Sequence, residues 1–266
     1  MDISSTDVFS AASAFGYSHG SVAVVSGAAT GVGWAAASQL ADAGVTTYGL
    51  IRDLHDADGL ESSRVQWIAA DVSVREDVAR SFAQISSTND HVDLVVSNAA
   101  IARHGDVGSM SHEDLAAMME TNVYGFFNMV QAALPLMIAG SSSIVAVSSV
   151  HANVTAPMVS GYAATKGALV SAIRAVALDL GSRGVRVNAV LPGSVDTPML
   201  RASAASRSPD DPEAAIRKWG ESHPIGRVLQ PREIADVILF LGSRFATGIT
   251  GSTITVDGGL SAKLAL

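Results

Sequence analysis

The chain alternates short, nearly continuous apolar runs with longer amphipathic stretches. Val22-Ala23-Val24-Val25-Ser26 reads as a strand buried on both faces. A glycine turn follows it, and then a helical pattern over 34–43 that stops at Gly44. Further strands are predicted over 46–51, 65–70, 92–96, the Val145-Ala146-Val147 run, 185–191 and 252–256. Helices are predicted between them, over 74–85, 111–138, 161–180 and 232–241. Alternation at this spacing predicts an α/β fold: a single domain with a doubly wound parallel sheet and helices on both faces. In such sheets ligands lie beyond the carboxyl ends of the strands. The residues just past each strand therefore matter most: Gly27, Arg52, Asp71, Asn98, Ser149 and Pro192-Gly193.

Some stretches depart from this alternation. Residues 1–20 are rich in Ser and Ala without a clear period, and are expected to be a loosely held tail before a domain at 21–266. A short amphipathic turn around Phe9 and Phe15 fits there. The 111–138 helix opens at Ser111, an N-cap with acids in the first turn. An interruption is expected at Pro135. Apolar residues of this helix and of 161–180 exceed one stripe, which predicts burial on more than one side and a partner subunit. Five of the eight prolines lie from Pro198 to Pro231. That section is expected to be an insertion with one short helix, capped by Asp211 with Pro212 at its first position. It would act as a substrate-binding lid over about 198–222.

Composition narrows the class. At 48% hydrophobic and 16% charged, the chain can bury a sizeable core, which excludes disorder. A formal net charge of −8 argues against a nucleic-acid partner. With no cysteine, disulfides, thiolate metal sites and Cys nucleophiles are excluded. The histidines are scattered without ligand spacing, so no metal is expected. No Lys or Arg precedes Arg52, and no apolar run reaches transmembrane length. The expectation is a soluble cytoplasmic protein with no membrane partner.

Candidate chemistry centres on Ser149, Tyr162 and Lys166. Residues 162 and 166 share one helix face, placing a phenol beside an ammonium. A nearby cation favours phenolate and lowers the Tyr pKa, which suits proton transfer to or from a substrate oxygen. Ser149, just past a strand, can hydrogen-bond the same oxygen. The glycine turn, Gly27-Ala28-Ala29-Thr30-Gly31-Val32-Gly33, lets backbone approach a pyrophosphate at a helix N-terminus. Gly16-Tyr17-Ser18-His19-Gly20 is a literal G-x-S-x-G. A nucleophile elbow needs a strand before that serine and a helix after it, and here a strand follows instead.

Together these pieces resemble the classical short-chain dehydrogenase/reductase family over about residues 21–260. Ser26 through Gly33 is similar to the family's T-G-x-x-x-G-x-G loop, with Ser for Thr. Asp71-Val72 resembles the dipeptide at the adenine. Ser97-Asn98-Ala99-Ala100 resembles N-N-A-G, its last alanine a departure that narrows the space beside the cofactor. Pro192-Gly193, through Val195 to Thr197, resembles the segment holding the nicotinamide carboxamide. Asn122, Ser149, Tyr162 and Lys166 fall on the catalytic tetrad. The resemblance implies a Rossmann-type fold, a homotetramer and NAD(P)-dependent hydride transfer between a ketone and a secondary alcohol. It implies Tyr162 as acid or base, and Lys166 lowering its pKa and bonding the nicotinamide ribose. Ser149 would polarise the carbonyl, and Asn122 would hold a water. Implied cofactor-binding residues are Gly27, Thr30, Gly31, Val32, Gly33, Arg52, Asp71, Val72, Asn98, Ala99, Ala100, Tyr162, Lys166, Pro192, Gly193, Val195 and Thr197.

Ser149, His151, Met158, Tyr162 and Met199, with Ile101, Val154, Val195 and Leu200, form the expected pocket. It is mostly apolar, predicting a hydrophobic ketone or alcohol; His151 could bond a second substrate oxygen. The alternatives are a carrier-protein-linked 3-oxoacyl reductase and a non-catalytic nucleotide-binding member. The 111–138 stretch has no Lys or Arg to dock an acidic carrier. Tyr162 and Lys166 are both present, which favours an enzyme. Where NAD-preferring members carry Asp, this chain has Ile51, followed by Arg52. A guanidinium suits a 2′-phosphate, so NADP(H) is favoured over NAD(H). Thr30, where a second basic residue often stands, and nearby Asp53 weigh the other way.

Overall fold

The computed structural model describes residues 14–17, 19–60 and 64–263. Seven strands form one parallel sheet: β1 (Val22–Ser26), β2 (Thr46–Ile51), β3 (Val65–Ala69), β4 (Leu94–Ser97), β5 (Ser143–Val147), β6 (Arg186–Pro192) and β7 (Thr253–Val256). Their spatial order is β3-β2-β1-β4-β5-β6-β7. β1 and β5 are buried along their whole length, as their unbroken apolar runs require. The winding reverses between β1 and β4, which opens a crevice at their carboxyl ends.

Side chains alternate across the sheet. Val24, Val95 and Ile144 face a core closed by Phe82, Phe126 and Ile173. Val25, Val96 and Val145 face the other, closed by Leu40, Ile234 and Ile238. The first core is covered by α2 (Arg75–Ser86), α4 (Gly125–Ala133) and α5 (Ser160–Gly181). The second is covered by α1 (Gly31–Asp42) and α8 (Pro231–Gly242).

The helix expected over 111–138 is divided. α3 (His112–Met119) is capped by Ser111, whose side chain accepts from the Asp114 N–H. A π turn follows at Glu120–Tyr124, then α4, then a 3₁₀ turn at Leu134–Leu136. Pro135 sits in the first turn of that 3₁₀ segment, where its missing N–H matters least. Met118, Asn122, Phe126, Met129 and Ala133 form the buried face, while Tyr124 and Phe127 point outward. Gly125 sits where a Cβ would lie 2.8 Å from Val72 Cγ2.

The insertion holds two helices, α6 (Pro198–Arg207) and α7 (Pro212–Ser222), rather than the one expected. Both start alike: Thr197 and Asp211 accept from Leu200 and Ala214 N–H groups, and proline follows each cap. β4 begins two residues later than expected, Val92 making only an isolated bridge to Met137. The end of the N-terminal stretch is anchored: Phe15 meets the Phe240 ring at 5.8 Å, and the buried Tyr17 hydroxyl donates to Leu239 O at 3.1 Å. Phe9 and Ser18 lie outside the described residues. Among the described residues no helix is long and apolar enough to cross a membrane.

Candidate active site

The site starts at the carboxyl end of β5. Ser148 Oγ donates to Lys166 O at 2.9 Å, and Lys166 Nζ donates to Val147 O at 2.8 Å. Backbone and side chain of one α5 residue are thus both fixed to one strand end. Tyr162 lies a turn earlier on α5, its ring centre 5.5 Å from Lys166 Nζ. Ser149 caps the 3₁₀ turn Val150–Ala152, its Oγ accepting from His151 N at 3.2 Å. The Tyr162 phenol and Ser149 line the same cleft. The His151 ring stands edge-on to Tyr162, centroids 6.0 Å apart.

The spacing argument expects Lys166 to lower the Tyr162 pKa. The structure shows the reverse balance: burial pushes the phenol up to about 12, and the neighbouring Ser149 offsets only part of that. Lys166 is itself buried, and burial brings it down to about 7. Desolvation dominates both groups, disfavouring the phenolate of Tyr162 and the ammonium of Lys166 alike.

The opposite wall is the glycine turn. Gly27 and Gly31 adopt φ of 62° and 53°, conformations that favour glycine. A Cβ on Gly31 would lie 2.9 Å from Thr197 Cγ2; one on Gly33 would lie 2.1 Å from Gly27 O. Gly33 therefore serves the packing of α1 under the turn. The turn is braced to β4: Ser26 Oγ accepts from Asn98 N and Ala99 N at 3.0 and 3.1 Å, and Asn98 Nδ2 donates to Ser26 O and Gly27 O at 3.1 and 3.0 Å.

One cleft of about 580 Å³ joins these walls. It brings together Gly27, Thr30, Gly31, Val32, Asn98, Ala99 and Ala100 with Ser149, His151, Tyr162 and Lys166. Pro192, Gly193, Val195, Thr197 and Met199 close it from the insertion's side, with Val154 and Leu200. Gly33, Arg52, Asp71, Val72, Ile101, Asn122 and Met158 are not among its lining residues. Asp71 is committed to Ser73, whose N and Oγ both donate to its Oδ1, at 2.9 and 2.6 Å. Asn122 is buried behind the cleft. Its Oδ1 accepts from Ile101 N at 2.8 Å, and its Nδ2 donates to Ile101 O and Thr165 Oγ1, both at 3.0 Å. Met158 does not contribute to the expected pocket: its side chain is exposed, and its backbone, at φ 70°, accepts from Gly105 N at 3.0 Å.

Sequence reasoning missed His104, Arg207, Trp219 and His223, which all line the cleft. No motif marks them; only the cap signal at Thr197-Pro198 announces the helix that carries Arg207. His223 Nε2 accepts from Ser194 N at 3.2 Å, so its proton sits on Nδ1, which donates to Trp219 O at 2.8 Å. Among the described residues no three His, Asp or Glu side chains converge as a metal site.

Sheet order, the switch-point crevice and the glycine turn make this a Rossmann-type fold. The family model described as enoyl-(acyl carrier protein) reductase matches residues 27–261. The chain belongs to the short-chain dehydrogenase/reductase family, and its relatives make it an oxidoreductase. Oxidoreductase UcpA of Salmonella typhimurium is 33% identical over 247 residues, 90% of this chain and 94% of that one. The 3-oxoacyl-[acyl-carrier-protein] reductase FabG of Thermotoga maritima is 33% identical, covering 91% and 98%. The ligand-free aldohexose dehydrogenase of Thermoplasma acidophilum superposes with a TM-score of 0.87 at 32% identity, covering 93% and 96%.

The buried lysine has a stability consequence. Unfolded, its ammonium keeps a proton to about 10.5; folded, only to about 7. Between these values the unfolded chain binds more protons, so stability rises with pH across this window and levels off below it. Urea unfolding midpoints taken from neutral pH upward, at fixed protein concentration, should rise in wild type and rise less in Lys166→Met. Parallel profiles would show that Lys166 stays charged in the fold.

Proposed function

We propose that the protein transfers hydride between a nicotinamide dinucleotide and the carbonyl or secondary-alcohol carbon of a small molecule with an apolar body. The observation that carries this is the grouping of Ser149, Tyr162 and a buried Lys166 in the same cleft as the glycine turn. The residues fit the cofactor. Thr30 leaves the first turn of α1 without a side-chain cap, so its N–H groups are available to a pyrophosphate. The absence of a Cβ at Gly31 keeps the floor beside Thr197 open. The dinucleotide supplies the hydride.

Tyr162 holds its proton at neutral pH and donates it to the substrate oxygen as charge develops there. Ser149 helps orient that oxygen, and Lys166 sits behind Tyr162 to resupply the proton. Asn122 is a positioning residue. Both its amide hydrogens are spent on Ile101 and Thr165, and Thr165 Oγ1 in turn donates to Tyr162 O at 2.8 Å. A water held by Asn122 would need its main chain. Among relatives, FabG is named for acyl-carrier-protein substrates. Here α3 and α4 carry no Lys or Arg, and Arg103 faces Asp114 at 3.5 Å, which favours a free small molecule.

NADP(H) is favoured over NAD(H). Arg52 is exposed just past β2 and has no carboxylate partner among the described residues. Asp53 accepts from His55 N at 2.9 Å through Oδ1, capping the turn after β2. A homotetramer is favoured by outward apolar side chains on α5 and around α4: Leu178 is 83% exposed and Tyr124 56%.

Tyr162→Phe should lower kcat by about 10²–10⁴-fold while NADPH still binds in a fluorescence titration. Retention of more than about a tenth of kcat would remove Tyr162 from the acid's role. Arg52→Ala should lower kcat/KM for NADPH by about tenfold, the scale of one charge-assisted hydrogen bond. A wild type that prefers NADH sinks this assignment. Light scattering at micromolar protein should give four times 27.2 kDa; a monomer disproves the assembly.

A further inference from the structure

Arg207 ends α6 and lines the cleft, yet hydride transfer gives it no task. An arginine in a helix's last turn usually serves that helix's own carbonyls. Arg207 instead reaches away, its Nη2 donating to Pro157 O at 3.3 Å. Among the described residues it has no carboxylate partner. Arg201, on the same helix, is held by Asp196 at 2.8 Å and Glu213 at 2.9 Å. The chain carries 25 Asp and Glu against 17 Lys and Arg, yet no Asp or Glu is among the described residues lining this cleft. Arg207 is exposed, so water can solvate it, and with no carboxylate of the cleft beside it the guanidinium is free to take an anion in bidentate fashion.

Its surroundings agree. His104 and His151 also line the cleft. Burial pushes both imidazoles below their usual range, and the Arg207 charge pushes them further. His151 Nδ1 meets Thr155 Oγ1 at 3.1 Å, on the loop that also presents Pro157 O. The place is on the substrate's side. Thr197, at the other end of α6, touches the glycine turn, and a ten-residue helix spans about 15 Å. Arg207 therefore stands about one helix length from the residue that adjoins the glycine turn. His151, edge-on to Tyr162, links the arginine to the reacting centre.

We propose that Arg207, flanked by His104 and His151, binds the carboxylate of an oxo or hydroxy acid, whose apolar carbons span the cleft to a carbonyl or hydroxyl carbon at Tyr162. This rests on the hydride-transfer reading and names its substrate class. The probes are the methyl-ketone acids from 4-oxopentanoate to 7-oxooctanoate, each paired with its methyl ester. Binding to wild type, Arg207→Gln and Arg207→Lys is measured by calorimetry, and turnover by nicotinamide absorbance. At the best chain length the acid should bind about tenfold or more tightly than its ester, with a lower Kd and a correspondingly higher kcat/KM. Arg207→Gln should collapse that ratio, and Arg207→Lys should restore part of it. An acid-to-ester ratio near one across the series, no binding by any acid, or a ratio that Arg207→Gln leaves intact overturns the proposal. Arg207-dependent binding of acids without turnover of any probe keeps the subsite and sinks the hydride-transfer reading. Turnover of acids and esters alike does the opposite.

Discussion

The double attachment of Lys166 to the end of β5 governs the geometry of this site. Its carbonyl accepts from Ser148 and its ammonium donates to Val147 O. Neither bond alone would fix the rotation of α5 about its axis; two bonds on opposite ends of one residue do. Tyr162 then has one place to be, over Ser149, because helix geometry carries it there from Lys166. The cost is desolvation of an amine, seen in a pKa near 7. Taking an ammonium out of water is tolerable when it can give up its charge.

The other wall is held by a different device. Ser26 and Asn98 exchange hydrogen bonds across the β1–β4 boundary, where the winding of the sheet reverses. These bonds tie the two lips of the crevice together beyond the last paired residues of β1 and β4. Backbone and side chain of both residues take part, so turn and strand end move as one body. The cleft is thus bounded by two braced walls, and the insertion closes a third side.

Much of this was legible in the chain. Runs such as Val22–Ser26 are buried on both faces, so apolarity alone marks them. The Tyr162–Lys166 pair followed from helical spacing. Its electrostatics did not, because spacing carries no information about burial, and burial decides both pKa values. The π turn at Glu120–Tyr124 changes which carbonyl each N–H meets and leaves no mark in composition. The α6 helix was announced by Thr197-Pro198, the same cap-and-proline signal found at Asp211-Pro212, and the density of prolines hid it. Met158, an apolar residue in a loop near the site, stands outside the cleft lining with its backbone at φ 70°, a conformation that its residue type does not announce. Arg207 stands among alanines and serines without a pattern, and only the fold brings it to the cleft.

The insertion returns to where it began. Val195 bridges Leu229, Leu229 N donates to Ser194 O, and Asp196 N donates to Leu229 O. The chain from 196 to 229 is therefore a closed loop whose ends are stitched before its interior is considered. Closing such a loop depends on its length only logarithmically, about 0.6 kcal/mol for each doubling. Residues can be gained or lost between the stitches with little effect on the sheet, so the wall facing the substrate can be rebuilt while the chemistry beneath it stays in place.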